Sequence, residues 1–486
     1  MHRRGAIVAL AVAALLAACT STTAGHGTAA GRSSAPGTAS TPIGPGSSTP
    51  PSGSTTPGAG PGGCHAYAAP DPNRPSMTLR FTISGDHRTV HGTEHLVFHP
   101  DRPITELVFR LTANTRPTVD EGNRIEVTSA TASPAGAKFR FTSANADPST
   151  QGGLLHLPLG SPAAAGTAVT ADLAFTLTLG ANSFDRFGTA GQFAYFGSAQ
   201  PLLAWERGFG WHTEDLIEFP AESATSEAMN VDLTVVAPAR DTVIMSGDPA
   251  DPPKTGATRT WHSTIAAARD VSVAAGPFSV RDITVEGVRL RVGAPDAGIR
   301  DALVPEFFRA ITELAKRFGP FPFPSLSVAR LPADGGGIEY PSSILMLDGS
   351  RLVAVHETAH QWFYAMVGDS QALHPWLDEA FAQYAEELMN GTQQRDAGAL
   401  SAPGDVDAST ESYGSDMQRY YFTTYDKGAA ALSAARAAAG PAKWDAALRC
   451  YVARNAWRVA NPPDLRAALA GLPAAIKVLE KAGALK

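Results

Sequence analysis

At 486 residues the chain is long enough for two or more domains, each with its own core. Its 44% hydrophobic and 17% charged residues are the ordinary balance of a soluble globular protein, with Gly (46) and Pro (37) generous. The 39 basic residues against 46 acidic ones give a formal net charge of −7, and no basic cluster stands out, which argues against a nucleic-acid partner.

Residues 1–19 read as an export leader. Arg3 and Arg4 precede an apolar run from Ala6 to Leu16, too short for a comfortable transmembrane span. Leu16-Ala17-Ala18-Cys19 resembles a bacterial lipobox, which implies that Cys19 is lipidated and anchors the chain to the outer face of the cell membrane. Plain cleavage would instead secrete it. Residues 20–63 are almost entirely Ser, Thr, Gly, Pro and Ala, a composition that builds no core and reads as a disordered tether. With the two leader arginines removed, 37 basic residues face 46 acidic ones, a net of −9. Two cysteines remain, Cys64 and Cys450, and outside the cytoplasm an even pair reads as a disulfide.

From residue 64 to 282 the apolar pattern has period two. Leu79, Phe81 and Ile83 alternate with polar neighbours, as do Leu107, Phe109 and Leu111, then Leu173 to Leu179, then Val231, Leu233 and Val235. Such runs, separated by Gly, Pro and Asp turns, predict an antiparallel β-sandwich or saddle-like sheet. A second domain is expected over 283–486, and after Val292 the period becomes helical. Ile299, Leu303, Phe307, Ala310, Ile311 and Leu314 predict a helix ending at Phe318-Gly319-Pro320, and Leu326–Leu331 predicts a strand. One edge strand, Ile344 to Leu347, fits before the next helix.

That helix carries His356-Glu357-Thr358-Ala359-His360. Histidines four apart present both imidazoles on one helical face, where they can share a metal ion. Glu357 then reaches the attacking water without joining the ligand set. Eighteen residues separate His360 from Glu379, the candidate third ligand. The run Trp362–Met366 is expected to continue the helix as far as Gly368-Asp369, and Leu377 to Met389 to form a second, with Glu379 in its first turn. A polar rim loop then runs to about Ser415, and the remainder, through Leu432, Trp444, Leu448, Tyr451, Leu465 and Leu479, reads as helical. His95, His212 and His374 lack partners at ligand spacing.

The stretch from His356 to Glu379 resembles the M1 aminopeptidases, gluzincins marked by HExxH, eighteen residues, and Glu within a W-L-N/D-E-G/A-F-A segment; here that segment is Trp376-Leu377-Asp378-Glu379-Ala380-Phe381-Ala382. The resemblance implies an α+β multidomain chain: an N-terminal β-domain, then a thermolysin-like mixed α/β catalytic domain with a helical C-terminal lobe. It implies one Zn2+ held by His356, His360 and Glu379, with Glu357 as general base and peptides as substrates. Gly336-Gly337-Ile338-Glu339-Tyr340-Pro341 is similar to the family's G-x-M-E-N exopeptidase strand. Ile338 and Tyr340 depart from that pattern; Glu339, the family's anchor for the substrate amine, is retained. Gln200 falls where the family lines the amino end of the substrate, and Tyr425, in Tyr425-Asp426-Lys427-Gly428-Ala429, aligns with its oxyanion-binding tyrosine. The large helical C-terminal domain of many members has no counterpart, so the resemblance does not extend to how closed the chamber is or how strictly long peptides are excluded. Two rival readings follow: a zinc endopeptidase with a relaxed N-terminus requirement, and a non-catalytic surface binding protein retaining the zincin shell.

Overall fold

Alternation in the first half becomes sheet. The computed structural model describes residue 64 and residues 66–181, 186–219, 221, 225–333, 335–393 and 397–486. The expected leader (1–19), with Cys19, and the tether (20–63) lie outside the described residues. Strands Ser76–Ile83, Thr89–Phe98 and Val169–Thr178 bury every second residue. They belong to a six-stranded sheet ordered Thr258–Ala268, Met229–Pro238, Ser76–Ile83, Thr89–Phe98, Val169–Thr178, Arg124–Ser133. Pairing is antiparallel except between Ser76–Ile83 and Met229–Pro238, which run parallel. A parallel pair needs a long crossover, and the chain between these strands builds a second, four-stranded sheet around Ile104–Arg110 and Leu154–Ala163. The facing sides of the two sheets share one core, with Leu79, Phe109, Leu155 and Phe175 buried in it. Each such side chain is worth roughly 1.5–3 kcal/mol of transfer free energy.

A third sheet carries the β-domain to the second half. Thr242–Met245, Ser272–Gly276, Phe193–Gly197 and Phe187–Ala190 form it. Its Tyr195, Ile244 and Ala274 share a core with Ala329, Ile338, Tyr340 and Leu345. Those last residues belong to a five-stranded sheet ordered Ser279–Val285, Val288–Ala294, Ser325–Arg330, Ser343–Met346, Gly337–Tyr340. The break expected after Asp282 falls inside its first strand. The three central strands are parallel, and both outer strands are antiparallel to their neighbours. Ser343–Met346, expected as an edge, is therefore interior and fully buried. The edge is Gly337–Tyr340, because the chain reverses tightly at Pro341-Ser342.

Helix Ala297–Phe318 starts where the Asp296 side chain accepts a hydrogen bond from the Ile299 amide, at 2.9 Å. It buries Leu303, Phe307, Ile311 and Leu314, while Ile299, counted above with the apolar stripe, is exposed. Helix Arg351–Ala359 starts at Ser350, whose hydroxyl caps the Val353 amide at 3.2 Å.

That helix does not run on through Trp362–Met366. Ala365 bonds back to the His360 carbonyl and Val367 to that of Trp362, five residues back in each case, and Tyr364 has φ 109°. An aromatic run this dense has no face to give to solvent. The turn divides it instead: Tyr364 and Ala365 enter the core of the β-domain, and Trp362, Phe363 and Met366 the helical core.

Helix Trp376–Asn390 follows, as expected, and the rim segment beyond it contains short turns at Ala397–Ser401 and Thr410–Tyr413. Helices Gly428–Ala439, Pro441–Asn455, Pro462–Ala468 and Pro473–Lys481 complete the chain. Three of them begin with proline, where the missing amide hydrogen costs nothing. Cys64 and Cys450 lie with their Cα atoms 4.9 Å apart and their sulfurs in bonding contact. No described helix is long and apolar enough to cross a membrane.

Candidate metal centre and substrate pocket

His360 caps the C-terminus of helix Arg351–Ala359 but keeps right-handed helical angles (φ −60°, ψ −16°), so the four-residue spacing still stacks its ring beside His356, centroids 4.9 Å apart. The first turn of helix Trp376–Asn390 brings in Glu379. Its Oε2 lies 3.3 Å from His356 Nε2 and 3.4 Å from His360 Nε2. A tetrahedral zinc bound about 2.05 Å from each donor requires donor separations of about 3.3 Å. The three atoms thus stand where such an ion needs them, and two imidazoles with one carboxylate are a zinc donor set.

The far ring nitrogens are also engaged. His360 Nδ1 is 3.2 Å from the Phe363 carbonyl oxygen, and His356 Nδ1 is 3.7 Å from Glu386 Oε2. Such outer contacts fix the tautomer, leaving Nε2 for the metal. Glu386 escaped the sequence reading. Seven residues after Glu379, two helical turns on, it shares that residue's face, and this spacing was the available signal.

Four carboxylates, Glu339, Glu357, Glu379 and Glu386, act on the two imidazoles. Burial alone would push His360 down, but Glu339 and Glu379 raise it to about 9, and His356 is raised well above its ordinary value against the same penalty. Burial would raise Glu379, yet the two histidines hold it below the usual carboxylate range. Four carboxylates around two imidazoles leave a site that favours positive charge, which a divalent cation would supply.

Glu339 and Glu357 both reach toward His360: one oxygen of each and a His360 nitrogen lie within 4.8 Å of one another. Both carboxylates are buried, at 4% exposure. Burial pushes Glu339 up to about 8, against the pull of His360, and a carboxyl in that position favours a cationic partner. Gly337 lies directly against the Glu357 side chain. Gly336 faces open space, and its carbonyl accepts from the Leu347 and Asp348 amides at 2.8 and 2.9 Å.

Tyr425 stacks on His356, centroids 6.0 Å apart and planes within 8°. It sits in a π-helical turn, Phe422–Lys427, of the kind often found at functional sites. Lys427 anchors that turn by donating to the carbonyls of Ala402, at 2.7 Å, and Gly404. Gln200 is fully buried, and its Nε2 donates to Asp270 Oδ1 at 2.8 Å. Its Oε1 has no hydrogen-bond partner among the described residues. The structure thus brings His356, Glu357, His360, Glu379, Glu339, Gly337 and Tyr425 into one cluster, and ties Gln200 to Asp270 in the neighbouring β-domain.

The three other histidines singled out in the sequence are paired with carboxylates: His95 with Asp172 at 2.7 Å, His374 with Asp407 at 2.7 Å, and His212 with Glu206 and Glu214 at 2.8 and 3.0 Å.

Residues 342–480 match the family model described as the peptidase family M1 domain. Aminopeptidase M1-B of Oryza sativa subsp. japonica is 28% identical over 186 residues, covering 31% of this chain and 21% of the relative. Aminopeptidase M1-D of the same plant is 24% identical over 247 residues, covering 41% and 27%. The chain thus spans between a fifth and just over a quarter of the length of these curated relatives. An M1 zinc metallopeptidase from Deinococcus radiodurans superposes with a TM-score of 0.63 at 20% identity, covering 87% of this chain and 94% of that one. A point mutant of it, bound to a Tyr-Ser-Ala substrate, gives 0.63 at 20% identity over 85% and 95%. At these identities the likeness is one of fold.

Proposed function

From the peptidase family M1 domain that this chain carries over residues 342–480, we propose that it is a zinc aminopeptidase, removing N-terminal residues from peptides. One observation carries the reading: Glu379 Oε2 stands 3.3 and 3.4 Å from the facing nitrogens of His356 and His360. These residues would hold a single zinc ion. When bound, that ion supplies Lewis acidity, polarising a carbonyl and lowering the pKa of water to about 7.

Glu357 takes the proton of the attacking water and delivers it to the leaving nitrogen. The Tyr425 phenol donates to the oxygen on which negative charge develops. Glu339 pairs with the cationic α-amino group of the substrate. Gly336 and Gly337 open the edge strand, whose outer side has no partner strand among the described residues and offers main-chain groups to an extended peptide.

The test is hydrolysis of aminoacyl reporters and of matched free and N-acetylated peptides, with and without chelator. Chelator-sensitive cleavage confined to free amines supports the reading. Equal rates on acetylated peptides would favour the endopeptidase, and no hydrolysis by metal-replete protein the binding protein.

The chain is further read as exported and lipid-anchored through Cys19, with Cys64 joined to Cys450. Replacing Cys19 by Ala should release the protein from membranes. Mass before and after reduction and alkylation tests the disulfide; two alkylatable thiols in the native protein would exclude it.

A further inference from the structure

Glu339 stands on a strand paired on one side only among the described residues, yet its role demands a fixed distance to the metal ligands. We propose that Gln361 is the positioning residue that sets this distance. The inference rests on the reading of Glu339 as the amine anchor.

Gln361 follows His360 directly and is fully buried. Its Oε1 accepts from the Ser342 amide at 2.9 Å, and its Nε2 donates to the Tyr340 carbonyl at 3.0 Å. Those two groups flank Pro341 in the two-residue reversal that joins Gly337–Tyr340 to Ser343–Met346, with Tyr340 paired to Ser343. Pro341 has no amide hydrogen to contribute, and Ser342 has φ 61°, an angle that non-glycine residues seldom adopt. The Gln361 amide satisfies the turn on the side facing the metal helix. From the β-domain side the Tyr340 ring seats over Gly197, where an added Cβ would fall 2.1 Å from the ring. Glu339 is thus one residue from a backbone carbonyl gripped by Gln361, and Gln361 is one residue from a metal ligand. Displacements of about 1 Å in a reacting complex can cost on the order of a hundredfold in rate. Gln361 itself acts through the strand.

The experiment compares wild type, Gln361→Met, Glu339→Ala and the double variant, each checked for zinc content and thermal unfolding, on free and N-acetylated peptides. Gln361→Met fills the same space without either hydrogen bond. It is expected to raise KM for free-amine peptides about tenfold and to cut selectivity against acetylated ones by a similar factor, with zinc retained. In the Glu339→Ala background the same change should alter KM by less than about twofold, because the group it positions is gone. Gln361→Glu, which keeps the acceptor and loses the donor, should fall between, and carries the comparison if Gln361→Met does not fold. A selective wild type with equally selective Gln361 variants, or penalties that add independently of Glu339, overturns the positioning role alone. A wild type indifferent to acetylation overturns the amine-anchor reading and this inference with it.

Discussion

The α-carbon of Gly337 lies against the Glu357 side chain: a Cβ there would sit 2.4 Å from Glu357 Cγ and 2.6 Å from Cδ. Real side chains do not approach so closely, so Gly337→Ala must push the carboxylate away from its place beside His360. The three atoms nearest that Cβ all belong to Glu357. The expected result is a fall in kcat/KM of about a hundredfold with zinc content unchanged, read by steady-state kinetics and metal analysis. Full activity in this variant would falsify the placement of the base.

Glu357→Gln keeps the shape of the side chain and removes its basicity. Turnover should fall by about a thousandfold or more, within the usual range for a general base, while bound zinc stays at the wild-type level. An active Glu357→Gln enzyme refutes the assignment.

Tyr425→Phe removes one hydroxyl and leaves the ring stacked on His356. Lost donation to a charge present only in the transition state appears in kcat, by about 10²–10³-fold, with KM changed by a few fold. A variant that mainly raises KM would make Tyr425 a binding residue instead.

Much of this centre was legible because its signals are local. Two histidines four apart and a glutamate nineteen beyond the second need only two helices and a loop, and Ser350 caps the first helix as a serine should. The period-two runs likewise specify strands directly. Strand order was not legible: that Ser343–Met346 lies inside the sheet and Gly337–Tyr340 at its edge depends on how distant segments pair. Nor was the end of the metal helix at His360. Trp362–Met366 carries ordinary helix-compatible residues, and only the competing claims of two cores turn it aside. The bond of Gln200 to Asp270, seventy residues away, could not be read from its neighbours.

His356 Nδ1 faces Glu386 Oε2 across 3.7 Å. Removing that carboxylate frees the ring to turn and lowers its basicity as a ligand. Glu386→Ala should weaken zinc affinity about 10–100-fold, measured by competition with a chelator of known affinity. Activity at saturating zinc should recover most of the wild-type value. Unchanged affinity would show that the contact does not hold the ligand in place.

Far from the centre, Glu94 points into the core of the β-domain, between Gly92 and Leu96 on the buried face of strand Thr89–Phe98. Its neighbours across the sheet are Leu79 and Leu173, and neither of its oxygens has a hydrogen-bond partner among the described residues. Burial raises its carboxyl well above the ordinary value. Folding therefore favours the protonated form. Stability from this residue is fully kept below the unfolded carboxyl value near 4.3 and is lost as pH rises toward the folded value, by at most about 1.4 kcal/mol per pH unit. Glu94→Met removes the titrating group and keeps the volume. The variant should gain on wild type progressively between pH 5 and pH 8, by roughly 1–3 kcal/mol at the upper end, as read by denaturant unfolding at each pH. Parallel stability curves for the two proteins would mean that the buried carboxyl carries no such penalty.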